Sequence, residues 1–142
     1  MYNGYKKNKL RNKKTYSSDG ILHASKREAT RWEELCLLER AGKISKLERQ
    51  VRYELIPAQY EEIYTGEFYQ RGARKGEPKL KRVCLEQSCE YVADFVYIDN
   101  DTGMTVVEDT KGYRDPQSAT YAKFVIKRKL MLYTFGIRIK EL

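Results

Sequence analysis

The chain is poor in the groups that thiolate and imidazole sites require. It has one histidine, His23, and three cysteines, Cys36, Cys84 and Cys89. An odd count without regular spacing makes no disulfide framework, and reduced thiols in a cytosolic setting are the default. Cys84 and Cys89 stand five apart, so a four-ligand zinc site would have to recruit carboxylates, away from the tight Cys/His spacings such sites use. Long apolar runs are also missing. No stretch approaches the roughly 18 consecutive apolar residues of a membrane span. Tyr5 to Lys14 is polar and basic where a secretory signal would be apolar. These absences lead us to expect a cytoplasmic protein with no membrane partner. Internal repeats are absent too.

What is present fits one soluble domain. The 142 residues can bury a single core, and 41% hydrophobic with 34% charged content supports a folded, soluble chain. Net charge is +8 and unevenly placed. Lys6, Lys7, Lys9, Arg11, Lys13 and Lys14 precede the first acidic residue, Asp19. A second basic cluster runs through Arg71, Arg74, Lys75, Lys79, Lys81 and Arg82, and a third through Lys123, Lys127, Arg128 and Lys129. Basic segments interleaved with 12 tyrosines suit a polyanion, of which nucleic acid is the commonest. Solubility alone would explain the same charge. Nothing resembles a recognition helix, so DNA would be read by shape or backbone.

Residues 1–18 read as a flexible basic arm, and 19–142 as one domain. Ser25-Lys26-Arg27-Glu28 has the form of a capping box. The apolar period at Ala29, Trp32, Leu35, Cys36 and Leu38, closed by Gly42, predicts a helix over about 26–41. Ile44 to Ile56 alternates as a strand. Residues 57–82 form a basic loop or hairpin insertion around Gly72, Gly76 and Pro78. The clearest β signal is Tyr91 to Ile98, a turn at Asp99 to Gly103, and a returning strand from Met104 to Lys111. Asp115-Pro116 predicts the start of a second helix, ended by Gly136, with a last strand from Ile137 to Leu142. The order implies an α/β fold, a mixed central sheet flanked by helices.

The hairpin carries the candidate chemistry. With the turn centred on Asp101-Thr102, paired residue numbers sum to 203, which sets Asp94 opposite Asp109. Lys111 lies two residues on and on the same face. Opposed Cβ atoms are about 5 Å apart, and like charges there destabilise a sheet. Two such carboxylates either share a proton or bind a cation, and a hard divalent ion takes oxygen ligands. The competing reading is that both point to solvent while Ala93, Phe95, Tyr97, Val106, Glu108 and Thr110 form the buried face. A strand covered on both sides is the third arrangement.

Asp94 followed fifteen positions later by Asp109-Thr110-Lys111 resembles the PD-(D/E)XK nuclease signature. Ala93 stands where that signature has Pro. A closer resemblance runs through Asp19 to Ile21, Ser25 to Ala29, Ala41 to Gln50, Tyr91 to Asp99, Val106 to Gly112 and Phe135 to Ile139. These segments are similar to a small phage-encoded endonuclease family often grouped with Holliday-junction resolvases. The resemblance implies an α-β-β-β-α-β core and a Mg²⁺-dependent endonuclease (Mn²⁺ a plausible substitute) acting on duplex or branched DNA. A homodimer would then cut two strands. It implies metal binding by Asp94 and Asp109, water activation by Lys111, and a further carboxylate from Glu28.

Glu28 is equally explained as a helix cap. Gln50 can hydrogen-bond the metal's water or a phosphate, or simply be a sheet-edge polar residue. Glu108, on the other face of its strand, is structural or supports the site indirectly. Lys123 and Lys127 share a helical face that is either DNA-facing or solvated. Loss of activity on the same fold, leaving a DNA-binding module of replication or packaging, is the alternative function.

Overall fold

The computed structural model describes residues 12–111 and 114–142. The chain divides into two compact units: one takes the residues up to Arg52 together with Val92–Leu142, the other Tyr53–Tyr91. The boundaries fall inside two strands.

In the first unit, β1 (Thr15–Tyr16) pairs antiparallel with β2 (Leu22–His23). Thr15 to Ser18 therefore do not belong to an unstructured arm. Ser17 is buried, and its hydroxyl bonds the Asp19 carboxylate and lies 3.1 Å from His23 Nε2. Helix α1 (Lys26–Arg40) follows the expected range to within a residue. It ends at Gly42, whose φ of 71° is left-handed and cheap only for glycine.

The main sheet has the order β3-β6-β7-β8, from β3 (Ile44–Ile56), β6 (Cys89–Asp99), β7 (Thr105–Asp109) and β8 (Lys140–Glu141). Strands β6 and β7 pair antiparallel through Phe95–Glu108, Val96–Val107, Tyr97–Val106 and Ile98–Thr105, the expected sum of 203. Strand β8 runs parallel to β7, so the sheet is mixed. Ala93, Phe95 and Tyr97 are buried, while Val92, Asp94, Val96 and Ile98 are half-buried. Of the arrangements open to the sequence, the structure has the third: both faces are covered, the Phe95 face more completely. Leu35 of α1, Ile44, Phe95 and Tyr97 form the core there, with Trp32, Leu47 and Val106 packed against them.

Helix α2 (Ala119–Phe135) begins later than Asp115-Pro116 suggested. Asp115 Oδ1 accepts from the Gln117 amide at 2.9 Å and the Asp115 carbonyl from the Ser118 amide at 2.9 Å. Those bonds close a turn, using the groups that would have capped a helix. Gly136, at φ 67°, closes α2 as expected.

The second unit is a ribbon of β4 (Gln59–Phe68) and β5 (Pro78–Glu86), paired antiparallel. The insertion is thus a hairpin. All ten residues of β4 are exposed.

Among the described residues, no helix is long and apolar enough to cross a membrane.

Candidate active site

The β6–β7 ladder stops at Phe95–Glu108, one step before Asp94 and Asp109 would pair. Beyond that point a side chain replaces backbone. Asp94 Oδ2 accepts from both the amide and the hydroxyl of Thr110, each at 2.7 Å. Charge-assisted bonds of this kind are about twice as strong as neutral ones, so Asp94 is held in a defined orientation. Its other oxygen lies 3.5 Å from Gln50 Nε2. Gln50 adopts φ 53°, a left-handed conformation inside β3. For a non-glycine residue that backbone is uncommon and collects at functional sites.

Asp109 is buried, 2% exposed. Its Oδ1 receives the Lys111 ammonium at 2.8 Å, and that ammonium sits 4.2 Å from the centre of the Phe124 ring of α2. A cation over an aromatic face gains from the ring quadrupole. The Asp109 carbonyl accepts from the Leu142 amide at 3.0 Å, which ties the site strand to the β8 segment.

Glu28 fills the capping role and neighbours the aspartates as well. Its amide donates to Ser25 Oγ at 3.2 Å, while its carboxylate accepts from Ser25 Oγ at 3.4 Å and from the Ala24 amide at 3.3 Å. Burial pushes its carboxyl above the usual range, and the charges of Asp94 and Asp109 push the same way. The Ala24 and Ser25 hydrogen bonds pull it back without cancelling the rise. Glu28 therefore feels the charge of both aspartates. Yet among the described residues no three His, Cys, Asp or Glu side chains converge into a ready metal-binding set.

Glu108 points the other way and is fully buried. Arg31 of α1 donates to it twice, at 2.8 and 2.7 Å, Tyr97 Oη at 2.7 Å and Lys140 at 3.2 Å. Burial alone would raise its pKa, but these donors, Arg31 foremost, bring it below the ordinary value. This network pins α1 to the sheet one residue from Asp109.

Of the basic residues singled out, Lys6, Lys7, Lys9 and Arg11 lie outside the described residues. Lys13 and Lys14 are exposed. In the ribbon, Arg74 pairs with Glu77 at 2.7 Å and lies 4.7 Å from the Tyr69 ring, with exposed Lys75 beside it. Lys123 is exposed and Lys127 half-buried; α2 meets the site through Phe124 instead. Sequence reasoning passes over Thr110 and Arg27. Thr110 is the unspecified middle of the Asp-x-Lys triplet, which gives no reason to weigh it. Arg27 Nη1 donates to the Lys111 carbonyl at 3.3 Å, a bond across 84 residues that no local pattern encodes.

The chain belongs to the family described as "Protein of unknown function (DUF1064)", whose model matches residues 7–140. No curated protein and no solved structure matches it.

Proposed function

We propose that the chain is a divalent-metal-dependent endonuclease that hydrolyses DNA phosphodiester bonds. The supporting observation is the fixing of Asp94 by Thr110 and of Lys111 on Asp109 where the β6–β7 ladder ends, with Glu28 of α1 near enough to feel the charge of both aspartates. An all-oxygen set with mutually repelling charges suits a hard cation such as Mg²⁺ or Mn²⁺. Those three carboxylates would hold the ion, which when bound supplies Lewis-acid polarisation of the phosphodiester.

The chain's own groups do the rest. Thr110 fixes the Asp94 carboxylate through two bonds at 2.7 Å. Phe124 confines the Lys111 ammonium, a fixed positive group beside which negative charge developing on phosphate is stabilised. Gln50 lends a donor on the Asp94 side. Backbone-directed binding through the basic segments agrees with a structure-specific enzyme for branched, Holliday-junction-like DNA. The resemblance to phage endonucleases supports the same class, a homodimer and action in the host cytoplasm.

The separate engagement of each carboxylate, with no assembled ligand set among the described residues, favours a second reading: a DNA-binding module of nuclease fold that does not cut. Incubating a synthetic four-way junction and a linear duplex with Mg²⁺, for the wild type and Asp109→Ala, decides between them. The enzyme reading expects cutting by the wild type and none by a variant that still binds. A wild type that binds both DNAs and cuts neither leaves only the second reading.

A further inference from the structure

At Thr110, the residue that holds Asp94, opens a cavity of about 590 Å³, lined also by Lys26, Arg27, Thr30, Arg31, Glu34 and Leu142. We infer that this cleft binds a backbone phosphate of the DNA strand next to the one being cut, through Lys26 and Arg27. The inference rests on the nuclease reading and adds to it where the substrate strand runs.

Three observations carry it. The first is which charges are already engaged. Arg31 is committed to Glu108 at 2.7 Å and Glu34 at 2.8 Å. Lys26 and Arg27 are exposed and have no carboxylate partner among the described residues; Arg27 makes one bond, 3.3 Å long, to a carbonyl. Two uncompensated cations at one mouth attract an anion. A second cavity, of about 410 Å³ beside Arg128, Lys129 and Arg138, is also basic but is not lined by Thr110, the residue that holds Asp94.

The second observation is continuity with the site. Thr110 lines the cleft while its amide and hydroxyl both hold Asp94, and Arg27 reaches the Lys111 carbonyl. A strand lying in the cleft therefore borders the residue that fixes Asp94. The third is chemistry: Lys and Arg charges with the Thr30 hydroxyl are the usual donors to phosphate oxygens, and the volume lies in the range of ordinary ligand clefts.

The test is binding without catalysis. Anisotropy of a labelled 20-base-pair duplex in EDTA, over a salt series, yields the slope of log affinity against log salt. Substituting Lys26→Gln and Arg27→Gln together should lower that slope by about one, for the one phosphate that is no longer neutralised. Lys26→Arg with Arg27→Lys should keep it. An unchanged slope in the first pair overturns the proposal, as does an equal drop in the charge-preserving pair. A 5′-phosphorylated dithymidine dinucleotide should shift the Thr30 and Thr110 amides in the wild-type NMR spectrum and not in the charge-removed variant; no shift in the wild type also overturns it. The two readings fail separately. Wild type that binds steeply but never cuts sinks the endonuclease, whereas wild type that cuts while the charge-removed pair keeps its slope sinks only the cleft.

Discussion

Strands β4 and β6 are nearly equal in length, at 10 and 11 residues, and draw on the same Tyr, Ile and Phe vocabulary. Their environments are opposite. In β6 every second residue from Tyr91 to Tyr97 is buried, whereas in β4 all ten are exposed, including Tyr60, Ile63, Tyr64 and Phe68. The difference is what covers them. Helix α1 packs Leu35 on Phe95 and Tyr97, while the exposed ribbon side chains meet one another, with Arg82 over the Tyr60 ring at 3.8 Å and Tyr64 against Phe68 at 5.6 Å. A lone two-stranded hairpin is marginal in water. Strand-forming residues specify the backbone; a second layer supplies the stability.

Substitutions in the two units should therefore differ sharply. Phe95→Ala is expected to cost about 3–5 kcal/mol, the usual range for a buried aromatic, read as a fall in the urea midpoint at unchanged slope. Arg31→Ala should cost a comparable amount, about 3–5 kcal/mol, because it leaves the Glu108 carboxylate buried without its main partner. A drop under about 1 kcal/mol there would show that Tyr97 and Lys140 suffice. Ser25→Ala should cost about 1 kcal/mol through removal of the cap.

A pH experiment probes the small hairpin at the edge of α1. Asp19 is held down to about 2 from an ordinary 3.8, first by the Ser17 hydroxyl and then by Trp32 Nε1, which donates at 2.7 Å. A carboxyl depressed in the folded state stabilises fully above its unfolded value and loses that contribution as pH falls through the folded one. Fluorescence of Trp32, the one tryptophan, should change between about pH 4 and about pH 2. Asp19→Asn should remove that step; a step that survives would assign it to another group. The smallest effect is expected in the ribbon, where Ile63→Ala should stay within about 0.5 kcal/mol, as exposed substitutions do. A larger effect would mean that the ribbon is covered in solution.

Much of this architecture is legible in the sequence. Period and caps locate α1, and turn chemistry at Asp99 to Gly103 sets the β6–β7 register by simple addition. The alternation of β3 is readable as well, though the left-handed Lys46 and Gln50 within it are not, since neither is glycine. Asp115-Pro116 misplaces the start of α2 because Asp and Pro favour a turn as readily as a helix N-terminus. At the site, the ladder stops one step short of the expected Asp94–Asp109 pair, and Lys111 lies past the end of β7 with its ammonium on Asp109. Their partners Thr110, Phe124 and Arg27 are not signalled by any local pattern.

Local rules, then, are enough to determine most of the elements and the pairing of β6 with β7, because helix period, strand alternation and turn preferences act over a few residues. Tertiary structure alone decides which face of β6 is the more buried, that the ladder ends before the aspartates pair, and that Glu28 on α1 feels the charge of both. It also decides which cations remain unpaired beside the cleft. Those outcomes depend on charges and surfaces far apart in the chain, whose mutual burial and repulsion exist only once the layers have packed.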